Sequence, residues 1–289
     1  MTTPFAEAGG VLASAFESNL RGWGSHPISG FVIAGSTGEA PLLDDDELFD
    51  LVGIARGIAT DGTVIAGTGA EATHRVIASC REAAARGADA VLVRAPMYYR
   101  GAMTPAVLSR HFMEVADASP VPVILYHIPK FVPVELDPEL VEALVRHENI
   151  IGIKDSSGGL ENLRALVAAC GSNGSVLVGS GALLQSALES GARGGVLGVA
   201  LLATAQACEL HAAWRDGDLP RATELQARIG PLHQAVVAGC GIPGIKAALD
   251  RLGYFGGPLR PPLRPLGEDR VTIVDAALEA AGLGVSASP

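Results

Sequence analysis

The chain predicts an α/β fold, a (β/α)8 TIM barrel with a C-terminal helical extension. Three observations predict it. Short apolar, β-branched segments alternate with amphipathic helical stretches, giving seven or eight β-α units in sequence. A length of 289 residues suits one α/β barrel with added helices. A doubly wound open sheet is the next architecture to consider, and it calls for a Gly-rich dinucleotide turn. None of the strand candidates is followed by G-x-G-x-x-G.

In chain order, the strand candidates are 31–35 (FVIAG), 64–69 (VIAGTG), 90–96 (AVLVRAP), 121–129 (VPVILYHIP), 150–156 (IIGIKDS), 175–180 (SVLVGS) and 194–200 (GGVLGVA), with a stub at Thr3–Phe5 as the eighth. Helices are predicted near 11–22, 44–59, 71–86, 104–118, 138–147, 160–170 and 182–190, where apolar residues such as Leu48, Leu51, Val52 and Ala55 recur at helical spacing. Thr104 before Pro105, and Asp137 before Pro138, read as N-caps with proline in the first turn. The barrel is expected over 1–200. Residues 201–289 are expected to be helices packed on it as one structural unit, with the proline-stiffened stretch PLRPPLRPL (258–266) running into a last short helix.

Composition narrows the function classes. A net charge of −10 argues against nucleic acid or an anionic membrane surface as partner, and 4% aromatic residues offer little base stacking. No apolar run reaches the length of a membrane span, and the N-terminus shows no secretory pattern. The four cysteines, Cys80, Cys170, Cys208 and Cys240, are widely spaced and read as reduced thiols of a cytoplasmic protein. The seven histidines show no metal-ligand spacing.

The basic residues carry a sharper signal. Of 21, only three are lysines: Lys130, Lys154 and Lys246. Lys154 stands in GIKDSS (152–157), at the end of an apolar strand. Arginine stays charged and cannot form an imine, whereas a buried lysine can lose its proton and act as a nucleophile. Alternation along the strand puts Gly152, Lys154 and Ser156 on the inner face, with Ile151, Ile153 and Asp155 outward, at the carboxyl end where barrel active sites lie. Gly152 is read as making space under the lysine. In the neighbouring strand VILYHIP (123–129) the same parity places Tyr126 beside Lys154, either as a proton-handling phenol or as a core tyrosine, and turns His127 to the other face as a structural residue. The strand candidate 31–35 runs into GSTGE (35–39). Its two hydroxyls and backbone N–H groups suit a carboxylate or an ordinary turn. Glycines in GTG (67–69) and GSG (179–181) are read as leaving room for a ligand. Together these residues describe a carbonyl enzyme working through a Schiff base. It needs no cofactor, because the protonated imine is the electron sink.

The order GSTGE, APMYYRG (95–101), YHIP (126–129), GIKDSSG (152–158) and VLVGSG (176–181) resembles the dihydrodipicolinate synthase / N-acetylneuraminate lyase family of class I aldolases. Within it, YYRG, VADASPVPVILY (115–126), GIPGIKAALD (241–250) and GYFGGP (253–258) look most like the 4-hydroxy-2-oxoglutarate aldolase branch. The resemblance covers essentially the whole chain and implies a barrel enzyme, a homotetramer built from two tight dimers. By the same resemblance, Lys154 is the Schiff-base lysine and Tyr126 the proton-handling tyrosine. Ser36 and Thr37 bind the pyruvate carboxylate, Thr37 also serving the proton relay. Tyr98 reaches a neighbouring subunit's site, and Ser156 and Gly179 line the pocket. Two positions depart from the pattern. Phe131 stands where the synthases carry an arginine that holds the aldehyde, and Arg94 replaces an apolar residue. Arg94 either holds a distal substrate carboxylate or makes an ion pair on the outside of the barrel.

The implied activity is reversible cleavage of 4-hydroxy-2-oxoglutarate to pyruvate and glyoxylate. Dihydrodipicolinate synthesis, or another 2-oxo-3-deoxy acid aldolase reaction, is the alternative within the class. A non-catalytic 2-oxo acid binder is the alternative outside it. The expected partner is a small 2-oxo acid.

Overall fold

The computed structural model describes residues 1–284, so the end of the predicted C-terminal region, residues 285–289, lies outside the described residues. The chain divides into two compact units, one made of Met1–Gly62 with Leu197 onward, the other of Thr63–Val196. In the first unit α1 (Ala13–Gly24), β1 (Gly30–Ile33) and α2 (Asp45–Ile58) come in order. The second unit alternates β2 (Thr63–Gly67), α3 (Thr73–Ala85), β3 (Ala90–Arg94), α4 (Pro105–Ala118), β4 (Val123–His127), α5 (Pro138–Leu144), β5 (Ile150–Asp155), α6 (Leu160–Cys170), β6 (Ser175–Val178), α7 (Leu184–Glu189) and β7 (Gly194–Gly195). The chain then returns to the first unit with α8 (Thr204–Arg215), α9 (Leu219–Leu232), a π-helical segment His233–Cys240, α10 (Gly241–Arg251) and α11 (Glu268–Ala280).

Helix starts follow the chemistry of unpaired N–H groups. The Asp137 side chain accepts from Leu140 N at 2.8 Å and that of Thr104 from Val107 N at 3.4 Å, each ahead of a proline that lacks a donor. Asp44 and Glu47 form a reciprocal capping box on α2.

In the second unit, parallel pairing runs β2-β3-β4-β5-β6-β7, each strand beside its predecessor. A doubly wound sheet reverses direction at a switch point, and this ladder has none. One row of side chains, Val91, Val93, Val123, Leu125, Ile153 and Val176, is almost wholly buried. The helices offer it apolar stripes such as Val76, Cys80 and Ala83 on α3 and Leu108, Phe112 and Val115 on α4. Each valine, leucine, isoleucine or phenylalanine among them contributes about 1.5–3 kcal/mol on burial. In the first unit, Trp23 stacks on Tyr254 with centroids 5.0 Å apart, and its indole N–H donates to Leu201 O at 3.0 Å.

Three expectations are corrected. Thr3–Phe5 forms no strand, only a single antiparallel bridge between Phe5 and Val11, because a turn at Glu7–Ala8, closed by Gly9 N donating to Ala6 O at 2.8 Å, folds the segment back on itself. The strand expected over 194–200 is confined to Gly194–Gly195, and Gly198–Leu201 winds into a 3-10 turn. Such a glycine-rich segment has little side-chain packing to hold it extended.

The third correction concerns Ile151 and Gly152. Val123 pairs with Ile150 and Ile124 with Gly152, so Ile151 is a bulge residue. It is 41% exposed rather than covered by helices, and it lines a pocket of about 310 Å³ with Val167, Cys170 and the 171–176 segment. Gly152 has φ 147°, and a Cβ there would sit 2.0 Å from Ser175 O. The glycine therefore clears the backbone of β6 rather than the lysine. Gly152→Ala is expected to cost about 3 kcal/mol or more, since backbone strain and overpacking add. Urea denaturation checks this, and a loss below about 1 kcal/mol would refute the assigned role.

Candidate active site

Register places the key pair. Tyr126 on β4 lies directly across from Lys154 on β5, and paired residues of a parallel ladder point to the same face. The Lys154 Nζ stands 4.2 Å from the centroid of the Tyr126 ring, and both residues are buried. A cation over a phenol face is attracted by the ring quadrupole. The next residues, His127 and Asp155, face the other way, as strand alternation requires.

Arg94 on β3 is the register partner of Tyr126, so it shares that face. It does make an ion pair, with Glu71 at 2.9 Å, but on the side of Tyr126 and Lys154, not on the opposite one. Glu71 Oε2 also accepts the backbone N–H groups of Met97 and Tyr98, both at 2.8 Å. Burial raises the Glu71 carboxyl, yet those two N–H groups and the Arg94 guanidinium outweigh burial and hold it below its ordinary value. Glu71 thus ties the arginine to the segment carrying Tyr98. Tyr98 itself is 78% exposed and meets Tyr99 edge-on, with centroids 4.9 Å apart.

Ser156 and Gly179 come together at the ends of β5 and β6. Ser156 N donates to His127 O at 2.8 Å and Gly179 N to Asp155 O at 2.7 Å. A Cβ on Gly179 would fall 1.9 Å from Ser156 Oγ. One on Gly69 would fall 2.4 Å from Arg94 Cγ. The space at these two glycines, expected for a ligand, is taken by the protein's own Ser156 and Arg94.

Behind the Tyr126–Lys154 pair is an ionic one. His127 Nδ1 lies 2.8 Å from Asp155 Oδ1, and His127 Nε2 lies 3.0 Å from Glu135 Oε2. Asp155 also accepts from the Ser157 hydroxyl at 2.8 Å and from Asn162 Nδ2 at 3.3 Å, which anchors the turn after the lysine.

Ser36 and Thr37 belong to the first unit, in a 3-10 turn Ser36–Gly38 following β1. Gly38 N and Glu39 N are used inside the turn, donating to Gly35 O at 2.9 Å and Ser36 O at 3.2 Å. Glu39, which closes the turn, is buried and lies 2.7 Å from Lys246 Nζ. Sequence reading missed Glu71, Glu39 and Lys246. The scarcity of lysine was a signal for Lys246 as much as for Lys154, but its acidic partner lies far along the chain.

The chain is similar along its length to proteins of one family. The model of the dihydrodipicolinate synthetase family matches residues 1–281. The 4-hydroxy-tetrahydrodipicolinate synthase of Acidiphilium cryptum is 35% identical over 284 residues, covering 98% of this chain and 97% of the relative. The enzyme of that name from Xanthomonas axonopodis pv. citri is 38% identical over 295 residues, covering 97% and 94%. The solved dihydrodipicolinate synthase of Aquifex aeolicus is similar with a TM-score of 0.93 at 28% identity, covering 99% of this chain and 98% of that one. That of Acinetobacter baumannii, complexed with pyruvate, gives 0.93 at 29% identity, covering 98% and 97%.

The ionic pair behind the site yields a pH prediction. Burial pushes the His127 imidazole down, but the Asp155 hydrogen bond, its charge and Glu135 outweigh it and hold the pKa above the ordinary 6.5. A raised folded-state pKa stabilises fully below the unfolded value and loses that contribution as pH rises through the folded value. His127→Gln should therefore destabilise the protein more near pH 5.5 than near pH 9. Thermal unfolding across that range checks the sign, and a gap that widens towards high pH would contradict it.

Proposed function

The chain belongs to the dihydrodipicolinate synthetase family, and from that premise we propose that it is a pyruvate aldolase that reversibly cleaves 4-hydroxy-2-oxoglutarate to pyruvate and glyoxylate. The family makes it a carbon–carbon lyase of the class I aldolase type. The observation that carries the reading is the buried lysine set across one ladder rung from a tyrosine, with its Nζ 4.2 Å from the ring.

Each residue then has a task. Lys154 Nζ adds to C2 of the oxo acid, and loss of water gives the protonated imine. Tyr126 takes the C4 hydroxyl proton as the C3–C4 bond breaks, and that bond's electrons flow into the imine. The aldehyde leaves. The resulting enamine is protonated at C3, and hydrolysis releases pyruvate and frees the lysine. Ser36 and Thr37 hold the C1 carboxylate, with Thr37 in the proton relay. Ser156 and Gly179 line the pocket. The imine is the electron sink, so the scheme calls on no cofactor.

Arg94, in the same row as Tyr126, supports a substrate with a second carboxylate, which would compete with Glu71 for the guanidinium. Phe131, two residues after Pro129 and 50% exposed, supports the cleavage reading too, since the synthases of the resembled family place an arginine there. A second reading, 4-hydroxy-tetrahydrodipicolinate synthase, is favoured by the name that the curated relatives carry. A panel of aldehydes and 2-oxo acids separates the two. The wider proposal is a (β/α)8 barrel assembled as a homotetramer, for which Tyr98 at 78% and Tyr99 at 72% exposure supply apolar contact surface. Free thiols at Cys80, Cys170, Cys208 and Cys240 suit a cytoplasmic setting.

The test is borohydride trapping with pyruvate, digestion and mass spectrometry. The adduct is expected on the peptide holding Lys154 and should vanish with Lys154→Ala. Tyr126→Phe should keep the adduct yet lower turnover by about 10²–10⁴-fold, the usual worth of one proton-transfer group. Full turnover of Lys154→Ala would end the Schiff-base reading.

A further inference from the structure

A second lysine is buried more deeply than the first. Lys246 on α10 is 1% exposed, and imine chemistry has no use for it. Its Nζ lies 2.7 Å from Glu39 Oε1, donates to Pro258 O at 2.7 Å and stands 4.6 Å from the centroid of the Phe5 ring. Glu39 Oε2 accepts from Arg260 N at 3.1 Å. Burial lowers the Lys246 pKa, and the Glu39 hydrogen bond and charge work against that fall.

The place where Glu39 sits gives the pair its meaning. Glu39 has φ 59° and ψ 31°, a left-handed conformation that costs a non-glycine residue energy and persists only where surroundings over-determine it. It closes the turn that presents Ser36 and Thr37. Thr3 Oγ1 clamps the same turn through Gly38 O at 2.6 Å. Gly198 stands close both to Thr37 and to the helix bearing Lys246. A Cβ on Gly198 would meet Val237 at 3.2 Å, Ile245 at 3.5 Å and Thr37 Oγ1 at 3.7 Å. Val237 lies in the π-helical segment His233–Cys240, a geometry that is rare and frequent at functional sites.

A buried ion pair is weak as a source of stability, because desolvation offsets most of the attraction. Its better-attested use is to specify one arrangement. We infer that Lys246 is a positioning residue: by holding Glu39 in its left-handed turn, it aims the Ser36 and Thr37 hydroxyls at the carboxylate of the 2-oxo acid. The inference rests on the proposed role of those hydroxyls. Arginine is not equivalent here, since a planar fork cannot take the place of one ammonium nitrogen that meets Glu39 Oε1 and Pro258 O at 2.7 Å each.

The experiment measures borohydride-trapped adduct on Lys154 against ketone concentration, with pyruvate and with hydroxyacetone, a ketone of similar size lacking the carboxylate. The proteins are wild type, Lys246→Met, the double variant Glu39→Gln/Lys246→Met and the double variant Ser36→Ala/Thr37→Val. In both Lys246 variants half-saturating pyruvate should rise about tenfold, the scale of one misaligned hydrogen bond to a charged group. Adduct at saturation and the hydroxyacetone curve should stay where they are. If Lys246→Met leaves Glu39 too badly stranded to fold, the charge-free double variant carries the test. Pyruvate and hydroxyacetone curves that shift together, or a double variant with the wild-type pyruvate curve, would overturn the inference while leaving the carboxylate reading intact. A Ser36→Ala/Thr37→Val protein with an unchanged pyruvate curve would overturn the carboxylate reading itself, and the inference with it.

Discussion

The register between β4 and β5 is the constraint on which the proposed chemistry depends. A shift of one residue turns every side chain of a strand to the other face. It would bury Ile153 beside Tyr126 and send Lys154 towards the helices. Two features hold this register, and one between them seats β5 against β6. The bulge at Ile151 absorbs the odd residue before the site is reached. Gly152 lets the β6 backbone close in at Ser175, with no Cβ in the way. The His127–Asp155 pair then binds the two strands on the face opposite Tyr126 and Lys154. One ladder thus carries the His127–Asp155 fastening on one side and the Lys154 amine on the other.

The three buried or half-buried basic side chains are partnered differently. Arg94 has a carboxylate at 2.9 Å and Lys246 has one at 2.7 Å. Among the described residues, Lys154 has the face of a phenol instead of an acid. In the proposed chemistry a salt bridge would occupy the amine that has to reach a carbonyl carbon, whereas a ring face leaves it without a competing ionic partner. The acids themselves do structural work. Glu71 joins Arg94 to the backbone of Met97 and Tyr98, and Glu39 joins a strand-end turn to α10 and the proline-rich strap.

Local periodicity made most of the second unit legible. Strands 90–96, 121–129 and 150–156 appear at Ala90–Arg94, Val123–His127 and Ile150–Asp155, each shorter at its C-terminal end, and the Asp137 and Thr104 caps are where proline announced them. Parity then placed Tyr126 beside Lys154 correctly, because the bulge precedes both. What depended on distant partners was not legible. The role of Gly152 is set by Ser175, that of Gly69 by Arg94 and that of Lys246 by Glu39, and no window of sequence holds both members of such a pair. The short strand at Gly194–Gly195 failed for the opposite reason, since glycine runs carry no periodic signal to read.

The glycines at the strand ends also bear on what kind of site this is. Gly69 and Gly179 could have left an open hollow, which a substrate would fill with contacts to backbone. Instead Arg94 packs against the first and Ser156 against the second. Each side chain is thereby confined close to a neighbouring strand before any ligand arrives, and less of its freedom remains to be lost on binding. A polar group held by packing keeps its direction, as one borne on a mobile loop does not. The same logic explains why a half-buried Arg94 is ion-paired: Glu71 holds its charge in the row of Tyr126, where an unpaired guanidinium would be left partly desolvated.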